Sequence, residues 1–385
     1  MTSKLPEHLF DDIGDVRKKY ADDVLAQNFV LQRTYPLQFK NRNAERAPSY
    51  RPEPKFKFNL NFDAAVVVLR HLYSMILVDL RNSDRIATDE LSHPILRFMW
   101  ADFEDESSVA AQTILRYEMQ TLDDPRGDMT VFQLFERPAM WDSIWNREPF
   151  RLYHQHVFGR PKDAAEWTII ENQEDVVEES LVEWNGAKDL GDEISSLFGQ
   201  SVDIETGDEY VEMFNDPAII RVRYQHTAPG RPPATYQDLR QILIAPRRIR
   251  RDENNPARFF RINPEEDSER VTYTLVAVVR CSDQAGQADR IRLYSMAGHP
   301  CSLPMALKDY VGTQWNIGQL NDQGRAYLLF YARAFTNAIS GQDVVPIARK
   351  EPNASSLIKK MRVSGKDSLG PATGEGSSAS ASNAH

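Results

Sequence analysis

The sequence predicts an α+β fold on three observations. Helical periodicity fills most of the first 150 residues, runs of β-branched and aromatic residues with partial alternation dominate from 218 onward, and the two patterns are segregated along the chain. Residues 1–55 are charged and punctuated by Pro36, Pro48, Pro52 and Pro54, with one helical stretch from Asp12 to Leu31, and read as a partly ordered extension. From Asp63 the residues Ala65, Val68, Leu69, Leu72, Tyr73, Ile76 and Leu77 recur three and four apart, the spacing of one helix face. Asn61 or Asp63 is the expected cap, because a short polar side chain can accept from the first free amides. Further helical patterns run from Glu90 to Trp100, Val109 to Leu122, Thr130 to Trp145 and Leu190 to Leu197.

After Phe150 the segment RLYHQHVFG alternates, and Glu166 to Trp184 is acidic with short β-like pieces. The strand expectations are AIIRVRY from Ala218, LRQILIA from Leu239, RFFRI from Arg258, TYTLVAVVRC from Thr272, DRIRLYSM from Asp289 and AYLLFYARA from Ala326, together an antiparallel sheet. The expected organisation is therefore a helical part, 56–150, and a sheet part, 151–345, of one domain. Residues 346–385 end in a Gly/Ser/Ala-rich tail too poor in apolar residues to repay its ordering entropy, and are expected to be disordered.

Composition narrows the functional classes. The 385 residues carry 46 Lys and Arg against 56 Asp and Glu, a net charge of −10, which disfavours nucleic acid as the default partner and permits a basic protein partner. The polar N-terminus lacks the apolar run of a secretory signal, and the most apolar stretch, Ala64 to Val78, is interrupted by Arg70 and His71. The expectation is an intracellular protein of cytoplasm or nucleus with no membrane association. Two cysteines, Cys281 and Cys301, can pair in principle but make no disulfide framework, and no C-x-x-C is present for zinc. The phosphate-binding, dinucleotide-binding, zincin and nucleophile-elbow motifs are absent from the sequence, so no cofactor is expected.

The order of blocks in the last third carries a resemblance. Tyr273, Leu275, Ala277, Val278 and Val279, then RIRLY, then Trp315, then Asn321 and Asp322, then Ala326, Tyr327, Leu329, Phe330, Tyr331 and Arg333 resemble the closing segments of the ubiquitin-specific proteases, papain-like cysteine deubiquitinases. Upstream, DPAIIRVRY at 216–224 looks like another strand of that family, and AAVVVLRHL at 64–72 looks like the helix that follows its cysteine box. The resemblance implies a papain-like fold over roughly 55–335, with ubiquitin or a ubiquitin-like protein as partner.

The same resemblance implies an inactive member. Such enzymes need a thiolate at a helix N-terminus, a His to move the proton and an Asn or Asp to orient that His. No cysteine precedes Cys281, and the alignment places Asp63, within a residue or two, at the nucleophile position. One register puts Arg290 at the histidine position; another, with a longer loop, retains His299 there. Asn321 and Asp322 stand at the third position, where an Asn-Asp pair between strands is equally a turn. Residues 160–185 would be the region that holds zinc-binding fingers in many relatives, here without cysteines. The expected function is a pseudo-deubiquitinase that binds a protein, with a scaffold subunit or an active hydrolase centred on His299 as alternatives.

Other clusters read as ordinary surface. His154 and His156 share a strand face but lack a third metal ligand. The basic run PRRIRR at 246–251 is followed closely by acidic residues and reads as an exposed insertion. The acidic stretch Glu171, Glu174, Asp175, Glu178 and Glu179 reads as a solvated face that, given the resemblance, can steer a basic partner.

Overall fold

The computed structural model describes residues 13–34, 60–77, 81, 90, 94–105, 111–112, 129–154, 157–169, 180–228, 230–245, 249–251, 259–261, 270–282, 289–301, 315–318 and 324–334. The chain divides after Thr336, and everything described belongs to the first unit. The expected tail, 346–385, lies outside the described residues.

The helical part is built around α3, Leu60–Ser74, which is buried on every side from Asn61 to Ser74. A helix apolar all round has to be enclosed by the rest of the protein. The short α1 (Val16–Lys19) and α2 (Val24–Arg33) cover one side, placing Val16, Val30 and Leu31 in the core. Part of the expected extension is thus a layer of the domain core. Asp23 caps α2 by accepting from the Ala26 amide. Two guanidiniums tie these layers together, as no apolar contact could. Arg70 donates to the Met99, Ala101 and Val30 carbonyls and to the Thr34 hydroxyl, and Arg81 donates to the Ile76 and Ser74 carbonyls and to Gln27 and Asn28. The expected helix from Glu90 is α4, Pro94–Met99, with Glu90 itself helical and paired with Arg17. Of Val109 to Leu122 only 111–112 are described.

The single helix expected from Thr130 to Trp145 is broken. A Thr130–Gln133 capping box starts α5, Val131–Phe135, and Pro138, which has no N–H to donate, starts α6, Pro138–Met140. A π-helical turn, Trp141–Trp145, follows, and its Trp145 indole donates to the Phe135 carbonyl at 2.6 Å.

The sheet part contains two principal sheets. A four-stranded antiparallel sheet has the order β2 (Thr168–Ile169), β1 (Phe158–Arg160), β5 (Glu209–Glu212), β4 (Gly199–Val202). Among the described residues of the expected alternating strand RLYHQHVFG, Phe158 and Gly159 enter β1 and Tyr153 forms an isolated bridge with Phe214. The larger sheet runs β11 (Arg290–Leu293), β10 (Val271–Arg280), β12 (Ala326–Arg333), β6 (Ile219–Gln225), β3 (Leu181–Trp184). Its pairings are antiparallel except β3 with β6, which is parallel, so the wholly antiparallel expectation is corrected. A parallel neighbour requires a crossover, and the chain from 185 to 218 supplies it. Within it lies α7, Leu190–Ser196, capped by Asp189.

Strand β10 is long enough to hold two short partners on one edge: β7 (Gln241–Ile244), which follows α8 (Tyr236–Leu239), pairs with its first half and β11 with its second. A bulge at Val276 separates them, so that Val276 and Ala277 both reach the helical core while Leu275 and Val278 face the other side. A third, two-stranded sheet pairs β8 (Ile249–Arg251) antiparallel with β9 (Phe259–Arg261), so the described half of the basic run is strand. Both faces of the large sheet are buried: one against α3 and its neighbours, the other against α7, Leu152, Trp184, Trp315 and Ile317. Among the described residues no helix is long and apolar enough to cross a membrane.

Candidate functional site

The first turn of α3 meets the start of β11. Helix α3 begins at Leu60, so neither Asn61 nor Asp63 is its cap; both lie inside the first turn. Asn61 instead bridges two chain segments: its amide donates to the Met129 carbonyl at 2.9 Å, and its carbonyl oxygen accepts from the Asp289 amide at 2.7 Å. Asp289 in turn accepts from the Val131 amide at 2.6 Å and from the Ser282 amide at 2.7 Å. Asp289 therefore joins the first turns of α3 and α5 to the ends of β10 and β11, through its backbone amide to Asn61 and through its buried carboxylate to Val131 and Ser282. Burial pushes the Asp289 carboxyl up to about 6, against the two backbone amides that favour its charged form.

Asp63, at the expected nucleophile position, is fully enclosed, so no substrate atom reaches its carboxylate in this conformation. On the next two turns of α3, the buried His71 imidazole donates from Nε2 to the Tyr294 carbonyl at 3.0 Å. Burial holds this ring down at about 4, although the Tyr294 and Val276 carbonyls favour protonation, so it is neutral at pH 7. It stands against the bulge of β10, as a strut between helix and sheet.

Arg290 starts β11 directly opposite Arg280. The neighbouring Ile291 and Leu293 enter the core shared with α3, so strand alternation turns Arg290 and Arg292 to the opposite face. The residue of this segment that meets α3 is Asp289, one position earlier. His299 is exposed at a turn closed by the Ser295 amide on the His299 carbonyl and by the Tyr294–Pro300 bridge. Asn321 and Asp322 lie outside the described residues, as do His156 and the acidic stretch 171–179. Cys281 and Cys301 are both free thiols. Among the described residues no group of three or more His, Cys, Asp and Glu is placed to hold a metal ion.

Among its described residues the expected fingers region, 160–185, contributes the last residue of β1, all of β2 and all of β3, and the four-stranded sheet is completed by β4 and β5 from further along the chain. Its hairpin turn is set by Asp203, which accepts from the Glu205 and Thr206 amides.

Sequence reasoning reached α3 and β11 but not Asn61 and Asp289 as the pair that joins them. The available signal was an Asn at the head of the most apolar helix and an Asp at the edge of a strand; nothing in spacing links positions 228 residues apart. Comparison with known protein families and with curated proteins finds no match.

Proposed function

We propose that residues 56–345 form a ubiquitin-specific-protease-like domain without turnover, which acts inside the cell by binding ubiquitin, a ubiquitin-like protein or another protein partner. The observation that carries this reading is the contact of the first turn of α3 with the start of β11 through Asn61 and Asp289. These are the two segments in which the resemblance locates the nucleophile and the proton-transferring histidine. The order of β10, β11 and β12 in one sheet supports the same reading. Chemically, acyl transfer to the protein needs an accessible, activated nucleophile. This chain offers at that place the amide of Asn61 and the enclosed carboxylate of Asp63. An amide does not act as an acyl acceptor there, and an enclosed carboxylate has no access to a peptide carbonyl.

The test is a titration of isotopically labelled ubiquitin with the full chain, read by amide shifts, alongside hydrolysis of a ubiquitin C-terminal amide. Saturable shifts on the hydrophobic face and C-terminal tail without hydrolysis support the reading. Hydrolysis abolished by replacing His299 would replace it with an active enzyme.

One observation favours a second reading. The junction of α3, α5 and β11 is filled by this chain's own hydrogen bonds, from Met129 through Asn61 and Asp289 to Val131 and Ser282. A protein so closed works as a scaffold through its outer surfaces, and absence of any ubiquitin shift at high micromolar concentration selects it.

A further inference from the structure

Residues 199–209, GQSVDIETGDE, contain four carboxylates and no cation. They form β4, a turn and the first residue of β5, and β4 closes one edge of the four-stranded sheet, with β5 its only strand partner among the described residues. Natural edge strands are blunted by lysine, proline, a bulge or a covering segment, because their outward amides and carbonyls pair readily with another extended chain. Strand β4 carries no charged residue and no proline, its register with β5 is unbroken, and Gln200, Ser201 and Val202 are all exposed. The opposite edge, β2, is only two residues long.

Register fixes which backbone groups point outward. The Asp203 amide donates to the Asp208 carbonyl at 2.8 Å, so these two are a hydrogen-bonded pair and, by alternation, so are Ser201 and Tyr210. Gln200 and Val202 therefore turn their amides and carbonyls away from β5, along the free edge. Side chains divide by face. Val202 is 57% exposed, and the carboxylate directly opposite it, Glu209, is engaged by Arg160 and Gln200. At the alternate positions, Asp203 accepts from the Glu205 and Thr206 amides and Asp208 from the Lys162 amide, and neither forms an ion pair among the described residues. These bonds close the turn that holds Ile204 99% exposed, with exposed Glu205 beside it. Lys162 packs its stem against Gly207, and Asp203, Glu205 and Asp208 outnumber it.

We propose that the free edge of β4 takes up an extended, basic segment of a partner protein as an added strand, with Lys or Arg alternating with apolar residues. Gln200 and Val202 supply the backbone hydrogen bonds, and the side chains of Val202 and Ile204 supply the apolar contacts. Asp203, Glu205 and Asp208 select cations at alternate positions of the incoming strand, since successive side chains of a strand point to opposite faces. Charge decides the occupant: a second copy of this chain brings the same acidic turn and a net −10 to the edge, whereas a basic segment is attracted to it. The surface is independent of the ubiquitin reading, because it uses neither α3 nor β11 and its test needs no ubiquitin.

The experiment uses the full chain with isotopically labelled valine and isoleucine, titrated with a capped peptide of alternating Arg and Val. Two control peptides accompany it: one with Glu in place of Arg, and one N-methylated at every peptide bond, which keeps the charges and removes the donors. The expected result is a saturable shift of the Val202 amide and of the Ile204 signals with the Arg–Val peptide alone, and slowing of Val202 amide exchange by about tenfold or more as its outward N–H becomes paired. Val202→Pro removes that N–H and leaves the β4–β5 ladder intact, so it melts with the parent and loses the binding. Glu205→Lys, on the exposed turn, weakens binding by about tenfold. Absence of a saturable shift at ~1 mM peptide, equal binding of either control peptide, or binding by Val202→Pro equal to the parent overturns the proposal. Protection of the Val202 amide that rises with protein concentration in the absence of peptide assigns the edge to a second copy, and overturns it as well.

Discussion

His71 and Asp289 are enclosed ionisable groups whose burial acts in opposite directions on stability. His71 is held at about 4 against an ordinary 6.5, so the unfolded chain binds more protons between these values and stability falls as pH drops from 6.5 to 4. Asp289 is raised to about 6 from 3.8, so the folded chain binds more protons and stability rises as pH drops from 6 through 4. Each swing is on the order of 3 kcal/mol, and over the shared window they largely cancel. Chemical denaturation from pH 7 to 4.5 therefore separates the two: relative to the parent, His71→Gln gains stability as pH falls, whereas Asp289→Asn loses it. Parallel curves for parent and both variants would show that neither group titrates in the fold as described. At this scale the sequence exposes which residues are unusual without exposing why. Arg70 and His71 are visible as polar interruptions of the apolar run Ala64 to Val78, yet four acceptors for Arg70 come from segments that only folding brings together.

Elements were legible where a single local rule decides them. Strands β6, β10 and β12 match, to within one residue at each end, the runs that their β-branched and aromatic content marks, and α7 ends within a residue of its expected span. Where two rules compete, the periodicity misleads. Thr130 to Trp145 has helical spacing throughout, but Pro138 ends one hydrogen-bond ladder and starts another. The parallel pairing of β3 with β6 was illegible because alternation reports which face is buried and says nothing of strand direction. The contact of α7 with β7 depends on one missing side chain. A Cβ on Gly191 would stand 2.3 Å from the Leu243 carbonyl oxygen, and backbone on both sides leaves no flexible atom to yield. Gly191→Ala is expected to cost about 1–3 kcal/mol by pushing α7 off the strand, read as a lowered denaturation midpoint with unchanged slope.

For the whole molecule, the division into helical and sheet parts is a division of sequence more than of packing. One core contains Val16, Leu31 and Phe62 together with Ile219, Val276 and Phe330, so both parts share a single apolar interior. Residues 13–34 belong to that interior, and their removal bares one side of α3. Burying Val16, Val30 and Leu31 contributes about 5–9 kcal/mol, comparable with the entire stability of an ordinary domain. A chain starting at Tyr35 is accordingly expected to lose cooperative thermal unfolding, and a sharp transition at the parent temperature would show the N-terminal layer to be dispensable. The candidate site was half legible on the same grounds. Motif order points to α3 and β11, while the Asn61–Asp289 bridge depends on a register that only the assembled sheet defines.

The enclosure of α3 also fixes an order of events during synthesis. Its apolar surface leaves the ribosome early, whereas β12, the central strand of the sheet that covers it, begins 252 residues after Ser74. At ~5–20 residues per second, roughly 13–50 s pass before the helix can be covered. During that interval the nascent chain displays the kind of surface that trigger-type and Hsp70-type chaperones hold, so its yield depends on who is waiting at the tunnel exit as much as on the stability of the finished fold.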